Sequence, residues 1–319
     1  MKFDNIKNNF KDELNEIDNF IKENLKSNIS IIGDIGHYIV TYGGKKIRPI
    51  ITIIFDKILN NNKEKTIKTS SAIELIHTAT LLHDDVVDLS EKRRGKLSVN
   101  KIWGNKEAIL VGDYLYTKSF EIMVQLQNIN LLNHMAQTTN IMSEGEVNQL
   151  LHKNNFDIKE SDYFDIIKCK TAQLFASSAA ASAILSEKKE LADRCFAYGM
   201  HLGLAYQLID DILDYTSTDE NFGKNTGDDI LNGTFTLPLI YTMLDKKKKE
   251  EIKNIIIYSN DNKLIQVKKI VNESNALEYT MNLAIKHTNK AKEAISIFKK
   301  SKNKEMATDI LNFITERTY

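Results

Sequence analysis

Residues 82–88 read Leu82-His83-Asp84-Asp85-Val86-Val87-Asp88, and residues 208–214 read Leu208-Ile209-Asp210-Asp211-Ile212-Leu213-Asp214. Each is a DDxxD set among apolar residues whose spacing is helical. At about 100° per residue, positions i and i+4 differ by only about 40° around a helix. Asp84 and Asp88 therefore share one face, as do Asp210 and Asp214, with Asp85 and Asp211 turned aside. Like charges so spaced destabilise a bare helix by a few tenths of a kcal/mol, and their apolar flanks add a desolvation cost. Six carboxylates placed this way need cations between them.

Outward from these segments, the composition predicts helices throughout. The 319 residues include 13 Gly and 2 Pro, about 5% of the chain against roughly 12% in average proteins. So few turn-formers do not easily serve a sandwich, a barrel or a doubly wound sheet. A hydrophobic content of 42% is ample for one large core and argues against disorder. No solenoid-type repeat and no long linker interrupts the chain, so residues 1–319 are expected to form a single domain. Apolar Phe3, Ile6, Phe10, Leu14, Ile17, Ile21 and Leu25 predict one amphipathic helix over 3–28. A long helix is expected over 66–90, ending at the polar run 90–98. The Ala- and Ser-rich stretch 170–185 permits close helix–helix approach. Beyond about residue 250 the Lys- and Asn-rich helices show no evident chemistry.

Charge narrows the partners. Forty-three basic residues balance 43 acidic ones, so no global field favours nucleic acid or an anionic membrane. Cys169 and Cys195 are too few for a disulfide framework and read as reduced and intracellular. The N-terminus shows no secretory signal and no apolar run is long enough to span a bilayer, so a cytoplasmic location is expected. Anion binding must come from local clusters. Lys45 and Arg48 adjoin Gly43-Gly44, where the backbone can approach an anion closely. Arg93 and Arg94 follow the first acidic set, and Lys170 and Lys224 flank the second. With all-oxygen ligands favouring a hard ion such as Mg²⁺, these cations suggest clamps for a diphosphate beside metal.

The ordered set GGKKIRP (43–49), IHTATLLHDDVVD (76–88), RRGK (93–96), KTA (170–172), YQLIDDILDY (206–215) and FGKNTGDD (222–229) resembles the trans-polyprenyl diphosphate synthase family. VGDYLYTKSF (111–120) and SEGEVNQL (143–150) are similar to its long-chain bacterial branch, octaprenyl diphosphate synthases in particular. The resemblance implies an all-α helical bundle around a central cavity, the isoprenoid synthase fold. It implies condensation of isopentenyl diphosphate onto an allylic prenyl diphosphate, with a long-chain, octaprenyl-like product for quinone side chains. The alternatives are a shorter-chain farnesyl or geranylgeranyl synthase, or a terpene cyclase, which would not need a second diphosphate site.

Residue roles follow from the same resemblance. Asp84, Asp85, Asp88, Asp210, Asp211 and Asp214 are the implied catalytic carboxylates, with Asp84, Asp88 and Asp210 as direct ligands of three Mg²⁺. Lys45, Arg48, His77 and Arg94 would hold isopentenyl diphosphate. Arg93, Lys170, Thr171, Gln207 and Lys224 would hold the allylic diphosphate. Three Mg²⁺ with Arg93, Lys170 and Lys224 would balance the six carboxylates and a trianionic diphosphate, as burial requires. The small Ala79 and Thr80, with Ile76, Met123 and Met135, would leave a tunnel for a long tail and set its length. One departure stands out: Thr234 occupies the place of a family lysine, which would weaken the allylic site or leave it to Lys224. A homodimer is expected, and peripheral membrane contact during product release is allowed.

Overall fold

The computed structural model of the protein describes residues 3–59, 62–216, 227–258 and 262–317. Helices α1 (Phe3–Asn8), α2 (Lys11–Asn24) and α3 (Ser30–Thr41) precede α4 (Ile47–Leu59) and the long α5 (Lys63–Val87). A short antiparallel ribbon, Lys92–Arg93 with Lys96–Leu97, leads to α6 (Val99–Trp103), α7 (Asn105–Gln125), α8 (Ile129–Leu151) and α9 (Glu160–Ile167). A π-helical turn, Lys168–Ala172, then joins α9 to α10 (Gln173–Leu185), and α11 (Lys189–Thr216) follows. Later helices include Leu237–Thr242, Ala276–Ala294 and Lys302–Glu316. The expected all-α bundle is what the chain forms, and the ribbon lies within the polar run 90–98.

A helix without a polar face must be surrounded, and α10 is such a helix. Every residue from Gln173 to Ala183 is buried, against α4, α8 and α11. Its Ala and Ser side chains let backbones come close. The Thr52 hydroxyl of α4 donates to the Ser178 carbonyl at 3.0 Å, and the Ser182 hydroxyl donates to the Thr52 carbonyl at 3.2 Å. Polar groups inside this dry contact are thus paired rather than orphaned. Gly199 of α11 completes it: a Cβ there would lie 2.3 Å from the Phe175 carbonyl oxygen.

The N-terminal segment departs from its expected single helix. It breaks at Asn9 and Phe10, where Asn9 Nδ2 donates to the Asn5 carbonyl at 2.7 Å and competes with the helical ladder. The apolar period survives the break, since Phe3, Ile6, Phe10, Leu14, Ile17, Ile21 and Leu25 are all buried. At the start of α5 the Asn62 side chain accepts from Lys65 N at 3.2 Å and caps the helix. α5 ends at Val87, a turn earlier than expected, with Leu89 in the left-handed region at φ 52°. Both acidic sets thereby fall in the final turns of α5 and α11, at the negative end of each helix dipole.

Gly199→Ala is expected to destabilise the protein by about 1–3 kcal/mol, the usual range for overpacking a tight core. The urea midpoint measures this, and an unchanged midpoint would show that α10 and α11 are not held by backbone proximity.

Candidate active site

The two acidic helix ends open on one cavity of about 1310 Å³. Asp84 and Asp88 line it from α5, and Asp210, Asp211 and Asp214 line it from α11. Carboxylates at the negative ends of two helices repel both their own dipoles and each other. Basic side chains meet that charge. Lys170 Nζ lies 3.9 Å from Asp84, Lys153 Nζ 3.3 Å from Asp88, and Arg317 3.0 Å from Asp210.

Asp85 is placed differently from its neighbours. It is 2% exposed, off the cavity wall, and ion-paired to Arg93, whose Nε reaches both carboxylate oxygens at 2.8 Å. An implied catalytic carboxylate and an implied diphosphate ligand thus neutralise one another in this structure. Asp214 Oδ1 accepts the backbone N–H of Gly227 at 2.6 Å. Gly227 takes φ 86°, a conformation glycine adopts at little cost.

The π-helical turn decides how the 170–172 motif meets the cavity. Such turns recur at functional sites because they re-aim consecutive side chains. Here Lys170 and Thr171 both line the cavity. Glycines on both sides make room: a Cβ on Gly145 would lie 2.8 Å from the Lys170 nitrogen, and one on Gly203 2.6 Å from Ala172 Cα. Lys170 Nζ lies 2.6 Å from Glu146. Burial works against the Lys170 charge, but Asp84 and Glu146 outweigh it and raise its pKa. Burial, reinforced by Asp84, pushes Glu146 up to about 7 against the pull of Lys170.

A basic set shares the cavity with the acidic one: Lys45, Arg48, His77 and Arg94 line it too, with Glu74 among them. The Arg48 guanidinium stacks 4.1 Å from the Phe175 ring centre, and burial brings its pKa down to about 10. Lys45 lies over Phe313 at 5.2 Å and is lowered by burial and by Arg317. Arg94 sits at φ 54° and donates to the Tyr42 carbonyl at 3.3 Å. Gly44 lets it approach, since a Cβ there would lie 2.5 Å from its guanidinium. Burial, with Arg48, Arg94 and Arg93 beside it, holds His77 well below the usual imidazole range, so it is neutral near pH 7.

Thr171 donates to Gln207 Oε1 at 2.9 Å, and Gln207 Nε2 donates to Asp211 at 2.8 Å. Tyr163 donates to the other Asp211 oxygen at 2.5 Å. Burial pushes Asp211 well above the carboxylate range, against the hydrogen bonds from Tyr163 and Gln207, and raises Tyr163 with Asp211 beside it. Among the residues proposed for tail length, Thr80 lines the cavity, whereas Ile76, Ala79, Met123 and Met135 are buried away from its wall. Thr234 is on the wall and accepts a 3.4 Å hydrogen bond from Gln149. Lys224 lies outside the described residues.

Some wall residues carry no role in the sequence reading. Glu146 stands inside the quoted SEGEVNQL, where its carboxylate was a discoverable signal. Asp229, likewise within the quoted FGKNTGDD, lines the cavity. Arg317 lacks any local signal, because only the return of the helix Lys302–Glu316 brings it over the Tyr206 ring at 4.9 Å and onto Asp210. The stretch beyond residue 250 therefore does contribute chemistry.

No three carboxylates, histidines or cysteines among the described residues enclose a cation by themselves. Opposed all-oxygen walls nonetheless fit Mg²⁺, which keeps water and takes one or two carboxylates plus substrate phosphate. No helix among the described residues is long and apolar enough to cross a membrane.

Folded Glu146 binds its proton more tightly than an unfolded glutamate, so its ionisation costs stability as pH rises from about 4.5 to about 7. Glu146→Gln should flatten that segment of the urea midpoint against pH in metal-free buffer. A slope equal to that of the unsubstituted protein would refute the raised pKa.

Comparison with known proteins accords with this geometry. A family model described as polyprenyl synthetase matches residues 29–274. The octaprenyl diphosphate synthase of Haemophilus influenzae is 36% identical, over 100% of this chain and 98% of its own length. That of Escherichia coli is 38% identical over 93% of each chain. A Caulobacter crescentus polyprenyl synthase, solved with calcium and isoprenyl diphosphate, superposes with a TM-score of 0.95 at 32% identity, covering 100% of this chain and 98% of that one. A Rhodobacter capsulatus decaprenyl diphosphate synthase superposes with a TM-score of 0.92 at 30% identity over 99% of each. On both sequence and fold, this chain belongs to the polyprenyl synthetase family and is a prenyltransferase.

Proposed function

We propose that the protein adds isopentenyl diphosphate head-to-tail to an allylic prenyl diphosphate, in a Mg²⁺-dependent reaction, to make a long-chain, octaprenyl-like all-trans product for quinone side chains. One observation carries this: a single cavity is lined both by the acidic Asp84, Asp88 and Asp210 and by the basic Lys45, Arg48 and Arg94. Two diphosphates, one needing metal and one needing cations, each have a place there. The octaprenyl relatives support the long product, and the calcium and isoprenyl diphosphate in the Caulobacter structure support a divalent ion beside a diphosphate. A single domain, a homodimer and a cytoplasmic location belong to the same proposal.

Asp84, Asp88 and Asp210 would hold the metal, which supplies Lewis-acid stabilisation of the departing pyrophosphate when bound. Lys170 would turn from Glu146 and Asp84 toward the allylic diphosphate, with Lys224 and, once released from Asp85, Arg93. Lys45, Arg48 and Arg94 grip the diphosphate of isopentenyl diphosphate as charges, and neutral His77 adds a hydrogen bond. Thr171 and Gln207 turn oxygen dipoles to the allylic carbon. The allylic carbon–oxygen bond breaks, the isopentenyl double bond attacks the cation, and a proton leaves with the released pyrophosphate. No protein nucleophile takes part. Leu81, Met142 and Phe175 give the tail an apolar wall, and Thr80 leaves it room.

Mass analysis of products from farnesyl diphosphate, isopentenyl diphosphate and Mg²⁺ tests the proposal. Five-carbon additions ending at a long-chain product are expected, and no elongation would overturn it. Asp84→Ala and Asp210→Ala should each abolish turnover without loss of the folded state, and near-normal rates in either would reject the metal assignment. Thr80→Phe should shorten the product, and an unchanged distribution would place the tail elsewhere.

A further inference from the structure

The helix Lys302–Glu316 reaches the cavity from the far end of the chain. It packs against α4, which carries Arg48, and against α11, which carries Tyr206 and Asp210. Phe313 and Arg317 are four residues apart and both line the cavity. The Phe3 ring, 4.8 Å from that of Phe313 between centres, anchors this end of the helix. Arg317 lies over the Tyr206 ring at 4.9 Å, with Nη2 3.0 Å from Asp210. Its Nη1 is buried without a hydrogen-bond partner among the described residues, and so is Arg48 Nε. Buried guanidinium N–H groups left without acceptors are rare and costly, and on a cavity wall a ligand can supply the acceptor. Lys45 points the same way. Its ammonium rests over Phe313 at 5.2 Å, and burial, followed by the charge of Arg317, lowers its pKa against Asp210 and Asp4. Like charges gathered in this way repel until an anion joins them.

We propose that Arg317 is a further binding residue for the diphosphate of isopentenyl diphosphate, with Nη1 as the donor that completes the grip of Lys45 and Arg48. This rests on the prenyl-transfer function proposed above. A guanidinium is a planar fork of N–H groups, so one edge can hold Asp210 while another donates to a phosphate oxygen. A lysine presents one compact charge and cannot span both partners. The charge balance asks for such a residue. Lys45, Arg48 and Arg94 would match a trianionic diphosphate, but Glu74 lies on the same wall and acts on Arg48 and Arg94. Arg317 restores the cation that Glu74 cancels. Metal at Asp210 would free Nη2 as well, leaving two nitrogens for bidentate contact with phosphate.

Arg317→Leu tests this, because it keeps apolar cover over Tyr206 while removing the donors. Calorimetric binding of isopentenyl diphosphate in metal-free buffer should weaken about tenfold to a hundredfold, as loss of a charged hydrogen-bond donor implies. In turnover the KM for isopentenyl diphosphate should rise by a similar factor, while kcat and the KM for farnesyl diphosphate stay within about twofold. Arg317→Lys keeps the charge without the fork and should fall between the two. A merely structural role would instead lower the urea midpoint and raise both KM values together. Unchanged isopentenyl diphosphate affinity in Arg317→Leu, an equal rise in both KM values, or no binding of isopentenyl diphosphate by the unsubstituted protein without metal would each overturn the assignment. Failure of the unsubstituted protein to elongate farnesyl diphosphate would remove the function itself, whereas those outcomes in an elongating enzyme remove only the role of Arg317.

Discussion

Two carboxylate sets placed at the C-terminal ends of two helices and turned toward one space are mutually repulsive, and the rest of the site is arranged around that repulsion. Each set faces the negative end of its own helix dipole as well as the opposite set. Without metal, Lys170, Lys153 and Arg317 provide the compensating charge. Those cations come from three separate places in the chain, so this compensation exists only in the folded protein. A dication with phosphate oxygens can take the same positions, which makes metal and diphosphate binding an exchange of cations rather than a new burial of charge.

Close helix packing makes that arrangement rigid. α10 is buried on all sides, and its small residues with Gly199 bring backbones nearly into contact. Gly145 and Gly203 then enclose the π-helical turn that directs both Lys170 and Thr171 into the cavity. Sites built on helices are held more closely than sites on loops. The Thr171–Gln207–Asp211–Tyr163 chain is held in place by this, because each member stands on a helix or on that turn.

The basic half works by a different principle. Arg48 and Arg94 remain cations despite burial because guanidinium groups resist deprotonation, whereas His77 among them loses its proton. A single cavity can thus hold charged and neutral donors side by side to receive an anion.

Much of this architecture is legible in the amino-acid sequence. Scarce Gly and Pro, and the apolar period through Phe3 to Leu25, determine the helical class, since both are local properties of the chain. The DDxxD spacing likewise determines which carboxylates share a helix face. Tertiary structure alone decides that Asp85 turns to Arg93, that Ala79 and Met135 lie in the core rather than on the cavity wall, and that Arg317 returns from the far end of the chain to Asp210. Periodicity reports which way a side chain points from its own helix. What it meets there depends on crossing angles and close approaches among helices remote in sequence, and on a π-helical turn for which the sequence carries no plain mark.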